Sequence, residues 1–211
     1  QYFVLMEDRL AIELGADIHG SVPEVFVNAD GFKKSISAPG PGNYITLAKA
    51  VACIKNILGE SAVQNKSFVQ AHGSSTPQNR VTESRVLDLL ASTFGIEKWP
   101  VTAIKAFVGH SLAPASADQL VNALGVLRYG VLPGIKTVTE LADDLFDRRL
   151  NIALQDTNLG DNAEVAFLNS KGFGGNNATG AVIGPYRTLQ LLEARHGRKT
   201  IEEWKRRVEN T

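Results

Sequence analysis

The sequence predicts an open α/β fold, because three apolar runs each end in a polar loop that contains glycine. Phe68-Val69-Gln70-Ala71 leads into His72-Gly73-Ser74-Ser75-Thr76-Pro77, and the run from Thr102 to Val108 leads into Gly109-His110-Ser111. Phe167-Leu168-Asn169-Ser170-Lys171 leads into Gly172-Phe173-Gly174-Gly175-Asn176-Asn177. Short apolar runs bounded by glycine-rich turns, with helical patterns between them, are the signature of buried strands in such a fold. Rigid strands fix the residues at their ends while the loops leave room for a ligand, so chemistry collects there. Glycines at these ends permit positive φ and close backbone approach.

Taken in order, residues 1–7 read as a strand entered partway, and residues 8–14 as a short helix stopped by Gly15. Residues 18–27 read as strand-rich, and His19 within them, without polar company, reads as structural. A loop over 29–42 is marked by Gly31, Pro39, Gly40, Pro41 and Gly42. Asn43 then caps a helix over 44–58 with Leu47, Val51, Ile54 and Leu58 on one stripe and Gly59 at its end. Cys53 lies mid-helix with neither a helix N-terminus nor a cation to stabilise a thiolate, and reads as a buried structural thiol.

Thr76 and Pro77 suit the N-cap and first position of a helix over 78–94. Its apolar face is expected at Val81, Val86, Leu89, Leu90 and Phe94, interrupted by Glu83. Pro114 fits the first turn of a helix running to Tyr129 through Leu120, Leu124 and Leu127, with Gly130 as the stop. Residues 141–150 read as a charged, partly helical excursion, and 152–154, 165–169 and 179–183 as strands. A strand after the last glycine turn argues against a phosphate cradle, which needs a helix N-terminus there. A helix over 187–196 ends at Gly197, and Thr200-Ile201-Glu202-Glu203 reads as the capping box of a last helix with Ile201, Trp204 and Val208 on one face. With seven Lys/Arg against four Glu this tail is mildly basic. A packed or solvated appendage is its plain reading, and docking onto an acidic carrier protein or a neighbouring subunit is the sharper one.

Composition bounds the function. The 211 residues suit one large domain or half of a bigger one, and 44% hydrophobic residues suffice for a core. Twenty-two basic and 22 acidic residues cancel, which gives no reason to expect nucleic acid or an acidic membrane surface as partner. No apolar stretch approaches the ~20 residues of a membrane span, and the reading expects no signal peptide. A single cysteine excludes an internal disulfide framework and fits a reducing cytoplasm. The two loop histidines lack the Cys or carboxylate cluster that would complete a metal site, and the nearby lysine argues against one.

In order and spacing, His72-Gly73-Ser74-Ser75-Thr76-Pro77, then Lys105-x-x-x-Gly109-His110, then Gly172-Phe173-Gly174-Gly175-Asn176-Asn177-Ala178 resemble the C-terminal half of a β-ketoacyl-acyl-carrier-protein synthase. The resemblance runs over about residues 2–185; thiolases share the fold, but these motifs are more similar to those of the synthases. It implies a thiolase-like α/β/α/β/α layering of which residues 1–185 supply the C-terminal half, with 186–211 as a helical extension. It also implies that the nucleophilic cysteine belongs to an N-terminal half absent from this chain, so that the chain alone is inactive. Substrates would arrive on the phosphopantetheine of an acyl carrier protein or as coenzyme A esters, with no other cofactor, in fatty acid or polyketide-type biosynthesis. A homodimer is implied as well.

The reaction is a decarboxylative condensation of malonyl-carrier-protein with an acyl thioester. Loss of carbon dioxide leaves an enolate, and the site must place hydrogen-bond donors where the thioester oxygen gains charge. Two imidazoles presenting Nε2–H would do so, each with its other nitrogen held by a partner. The resemblance assigns this to His72 and His110. It further implies that Glu83 and Lys105 form a buried pair beside them, that Ser74 and Thr76 lie near the malonyl carboxylate, and that Phe173 is a gate admitting acyl groups. Arg80 departs from the aspartate of many relatives and Lys171 from a frequent phenylalanine; Lys171 would favour a polar or carboxylated acyl donor. Two other readings compete: a non-catalytic, chain-length-determining partner subunit, and a carrier-protein-binding module. Retention of Lys105, His72 and His110 together argues against the first.

Overall fold

The computed structural model describes residues 2–33 and 40–209, with the Phe173 side chain outside that description. In chain order the elements are α1 (Asp8–Leu14), β1 (Val25–Ala29), α2 (Gly42–Leu58), α3 (Glu60–Asn65), β2 (Ser67–Gln70) and α4 (Pro77–Phe94). They continue with β3 (Trp99–Thr102), α5 (Lys105–Val108), α6 (Ala115–Tyr129), β4 (Val131–Leu132), β5 (Leu150–Ile152) and β6 (Thr157–Asn158). Last come β7 (Val165–Lys171), β8 (Asn176–Ile183), α7 (Pro185–His196) and α8 (Arg198–Glu209).

Six strands form one mixed sheet in the order β1-β8-β7-β2-β3-β5, and β4 pairs with β6 apart from it. The neighbours β7, β2, β3 and β5 are parallel, while β8 runs antiparallel between β7 and β1. Both faces of the central strands are covered, which explains their continuous apolar runs. On one face Val69, Val165, Phe167, Ala181 and Ile183 pack with Leu47, Val51 and Ile54 of α2 and Leu87 and Leu90 of α4. On the other, Phe68, Ala166, Leu168 and Val182 pack with Ala123 and Val126 of α6. The alternation along β7 follows from the two-residue period of a strand. The chain thus presents three layers: helices, sheet, helix.

A third cluster joins Ile12 of α1 to Leu192 of α7 and to Ile201 and Trp204 of α8. Trp204 Nε1 donates to the Ala16 carbonyl at 2.9 Å, and Arg195 Nη1 and His196 Nε2 lie 2.9 and 3.0 Å from Asp8 Oδ2. The C-terminal helices therefore pack on α1, and α7 also sets Leu191 against the main core.

Several sequence expectations need correction. Residues 2–6 form no strand: none pairs with them among the described residues, and Tyr2, Val4 and Leu5 are exposed. Residues 18–24 are irregular apart from a bridge between Ser21 and Ile183, and His19 is exposed with Asp17 3.9 Å away. Of the loop markers, Pro39 lies outside the described residues. Helix α2 is not capped by Asn43, which lies within it; Asp30 Oδ1 accepts the Gly42 N–H at 2.9 Å instead. The Asn43 side chain points into the sheet and donates to Asn169 Oδ1 at 2.6 Å. Cys53 is half-buried rather than buried, and burial pushes its thiol pKa up, as suits an unreactive thiol.

On α4 the buried face is Glu83, Ser84, Leu87, Leu90 and Ala91, so Glu83 belongs to that face rather than interrupting it, and Leu89 turns outward. The run through Thr102 to Val108 is not one strand: β3 stops at Thr102 and residues 105–108 coil into the single turn α5. Residues 141–149 carry no helix and follow the surface of α4. Thr200 lies inside α8, which starts at Arg198, so the expected capping box is not at its N-terminus.

Candidate active site

Parallel pairing brings the carboxyl ends of β7, β2 and β3 to one edge of the sheet, and the three loops singled out from sequence leave from those ends. Convergence at such an edge is what the parallel arrangement imposes. The chain turns sharply after β2, with φ at +52° for Gly73 and +62° for Ser75. A Cβ at Gly73 would sit 2.7 Å from the Ala103 Cβ, so only glycine lets the β2 and β3 loops come this close. Thr76 caps α4 by accepting the Asn79 N–H at 3.4 Å, with Pro77 at the first helical position. Ser74 Oγ lies 3.4 Å from Thr76 Oγ1.

His72 is buried and its ring lies 5.3 Å from that of His110, edge to face at 80°. His72 Nδ1 accepts the Lys171 backbone N–H at 3.3 Å, and His110 Nδ1 accepts the Leu112 backbone N–H at 3.1 Å. A neutral imidazole that accepts at Nδ1 carries its proton on Nε2, so both rings have the tautomer of an Nε2–H donor. Burial lowers the His72 pKa from 6.5 to about 4, with Lys105, His110 and Lys171 adding to the effect and Glu83 opposing it. His72 is therefore neutral at physiological pH.

Glu83 is the polar centre beneath these loops. Its Oε1 accepts the His72 N–H at 2.7 Å and Asn169 Nδ2 at 2.6 Å; its Oε2 accepts the Gly73 N–H and Asn79 Nδ2, each at 2.9 Å. The expected ion pair with Lys105 is not closed. Lys105 is buried, but its Nζ has no hydrogen-bond partner, and burial lowers its pKa against the attraction of Glu83 and Asp118. The carboxylate is already filled by four N–H donors, which leaves Lys105 only a through-space interaction with it.

Two cavities meet at Ser74, Asn79 and His110. One of about 630 Å³ contains His72, Thr76 and Lys171; the other, about 550 Å³, contains Lys105 and Glu83 against Leu87, Val101 and Ile135. Arg80 lines the second cavity with His110 and pairs with Asp144 at 2.6 Å. Together with the Phe146 N–H on Ser84 Oγ and the Arg149 N–H on Asp88 Oδ1, it clips residues 144–149 to α4. Phe173 lies in a helical turn, Phe173–Gly175, beside the first cavity, and its side chain lies outside the described residues.

The structure thus brings His72, His110, Ser74, Thr76, Glu83 and Lys105 to one edge. Asn79, Asn169 and Gln119 were missed. Asn79 stands one helical turn before Glu83, and Asn169 is a polar residue inside an apolar strand; either spacing could have marked it. Gln119 Nε2 donates to the carbonyls of Ala71 and Asn169, both at 2.9 Å, and so ties the end of β7 to the β2 loop. Among the described residues no helix is long and apolar enough to cross a membrane.

A family model described as the C-terminal domain of β-ketoacyl synthase matches residues 19–139. The chain is 60% identical over 211 residues to the β-ketoacyl-[acyl-carrier-protein] synthase FabY of Pseudomonas aeruginosa, covering 100% of this chain and 33% of that protein. It is 28% identical over 176 residues to 3-oxoacyl-[acyl-carrier-protein] synthase 1 of Escherichia coli, covering 83% of this chain and 39% of that protein. The structure matches the crystal structure of the ketosynthase FabY from P. aeruginosa with a TM-score of 0.94 and 59% identity, over 97% of this chain and 32% of that one. The ketosynthase from module 6 of the bacillaene synthase of Bacillus subtilis shares the fold alone, with a TM-score of 0.74 at 20% identity over 84% of this chain and 33% of that one. The chain therefore spans about a third of the length of the protein it most resembles among these.

Proposed function

Because this chain belongs to the β-ketoacyl synthase family, whose C-terminal domain it carries, we propose that it forms the enolate-stabilising part of a synthase that condenses malonyl-carrier-protein with an acyl thioester. Its thiolase-like fold is that of the ketosynthases. The observation that carries the proposal is the matched pair of imidazoles, both accepting a backbone N–H at Nδ1 and lying 5.3 Å apart. Two Nε2–H donors at that separation can converge on one oxygen.

In the proposed step the bond from the malonyl methylene to the carboxylate breaks and carbon dioxide leaves. Its electron pair passes into the enolate, whose oxygen receives hydrogen bonds from His72 and His110. The enolate carbon then attacks the acyl carbonyl, and the cysteine thiolate that held the acyl group departs. That cysteine belongs to sequence outside this chain, since Cys53 is half-buried in α2 with a raised pKa. Preorganised donors act here because they need no reorientation as charge develops. Ser74 and Thr76, in the same cavity as His72, are read as contacts for the malonyl carboxylate. Lys105 supplies a positive field beside His110, Glu83 anchors the His72 loop, and Phe173 is read as the acyl gate.

Acyl carrier protein as substrate carrier, a homodimeric synthase and a cytoplasmic setting complete the reading; the relatives named above act on carrier-protein substrates by name. Residues 186–211 are read as an extension whose packing on α1 fits a structural role. The test measures carbon dioxide release and condensation from radiolabelled malonyl-carrier-protein by the full-length protein that carries this segment, and by its His110→Ala variant. Release that depends on His110 supports the proposal. A protein without a nucleophilic cysteine that only alters product length beside a cysteine-bearing subunit would instead make it a non-catalytic partner.

A further inference from the structure

Three residues form a closed circuit of hydrogen bonds with the first histidine. The Lys171 N–H donates to His72 Nδ1 at 3.3 Å, and the His72 N–H donates to Glu83 Oε1 at 2.7 Å. Asn79 Nδ2 donates to Glu83 Oε2 at 2.9 Å, and Lys171 Nζ donates to Asn79 Oδ1 at 3.1 Å. From this geometry we infer that Lys171 is a positioning residue for His72: its amide orients the imidazole, and its ammonium, through Asn79 and Glu83, fixes the backbone that carries the ring. The inference rests on the reading of His72 as a donor to the enolate.

The charge on Lys171 matters because of the amide between it and Glu83. With an ammonium on one side and a carboxylate on the other, Asn79 has one favourable orientation, oxygen toward Lys171 and NH2 toward Glu83. Reversal would set NH2 against NH3+ and oxygen against carboxylate, and both bonds are of the strong, charge-assisted kind. Lys105 cannot take this part, since its Nζ has no hydrogen-bond partner and it lines the other cavity. An apolar residue at 171 would keep the amide that orients the ring and lose the arm that locks Asn79. The circuit thus takes the place of the direct Glu83–Lys105 ion pair.

The charged and titratable groups facing His72 are Glu83 from α4, Lys105 from α5, His110 from the loop beyond it and Lys171 from β7. Glu83 favours a proton on His72 and the three others oppose it. Removing the ammonium leaves Glu83 less balanced, so His72 should protonate at higher pH. A proton on Nδ1 would displace the Lys171 N–H and turn the ring from its place.

The experiment uses the full-length protein and reads malonyl-carrier-protein decarboxylation for Lys171→Met, Asn79→Ala, their combination and Lys171→Arg. The expected result is a fall of about 10- to 100-fold in kcat with KM for the malonyl substrate unchanged, as displacement of a positioned catalytic group produces. The double variant should lose no more than either single one, because both open one circuit. The acid limb of the pH profile should move to higher pH, and arginine should restore most of the rate. A raised KM with kcat preserved would overturn the inference, since Lys171 would then hold the substrate anion itself. Losses that multiply in the double variant would overturn it as well. If Lys171→Met does not fold, Asn79→Ala opens the same circuit from α4 and decides by the same criteria. His110→Gln runs alongside: full activity there defeats the reading of the site, whereas its loss beside an unaffected Lys171→Met defeats this inference alone.

Discussion

Replacing Glu83 by glutamine preserves the volume of a side chain that is 4% exposed and removes its charge. Each carboxylate oxygen accepts two N–H donors, so either orientation of the new amide sets an NH2 group against a pair of them. Asn169 can recover part of the loss only if its amide and that of Asn43, which donates to its Oδ1, reverse together, whereas Asn79 is held by Lys171. An unsatisfied buried donor costs about 1–3 kcal/mol, which puts the local destabilisation at about 2–4 kcal/mol. The affected groups include the backbone N–H of His72 and of Gly73, so hydrogen exchange reads the effect directly. Where exchange proceeds through local opening, that loss corresponds to acceleration by about 30- to 700-fold at these two amides. The assay is hydrogen-exchange mass spectrometry on peptides spanning 71–76 in the full-length protein, with decarboxylation measured in parallel. Wild-type protection of these amides in Glu83→Gln would refute the assignment of Glu83 as their anchor.

Three further outcomes follow from the same geometry. Lys105→Met removes a buried ammonium that lacks a hydrogen-bond partner; it should raise the thermal midpoint by an amount equivalent to about 1 kcal/mol while slowing decarboxylation, and a lowered midpoint would count against the unpartnered state. For His72, the unfolded chain takes up a proton below about 6.5 and the folded one only near 4, so between those values the unfolded state binds more protons and stability falls as pH falls. The drop should be no more than about 3 kcal/mol before solvent screening, complete below the folded value and absent above pH 6.5, and His72→Gln should flatten that part of a denaturant-midpoint profile. Trp204→Ala should cost about 3–5 kcal/mol within the small α1–α7–α8 cluster and loosen the helices so that trypsin cleaves after the exposed Arg195 and Arg198, while sparing decarboxylation; unchanged proteolysis would argue against this packing.

Much of the fold was legible because its signals are local. The apolar runs of β2 and β7, the helix starts at Thr76-Pro77 and Pro114, and the stops at Gly15, Gly59 and Gly130 each depend on a few adjacent residues. The errors fall where a distant partner decides. Residues 2–6 have strand composition and no strand to pair with among the described residues. The run after Thr102 is apolar enough for a strand, yet residues 105–108 coil into a turn with Phe107 and Val108 exposed. Asn43 has the residue type of a cap, but the buried Asn169 claims its side chain.

The site divides in the same way. His72, His110, Lys105 and the glycine turn stood out by residue type and spacing, because each motif is contiguous, and the family resemblance gave them their expected roles. Which donors surround Glu83, and which lysine answers its charge, was decided by tertiary structure. Asn169 reaches Glu83 across 86 residues, and the Lys171 N–H reaches His72 across 99. Those contacts exist because β7, β2 and β3 lie side by side and parallel, so that their carboxyl ends share one edge. Strand order of this kind is set by burial of both faces of the sheet at once, a condition on the whole packed chain that no single stretch of sequence expresses.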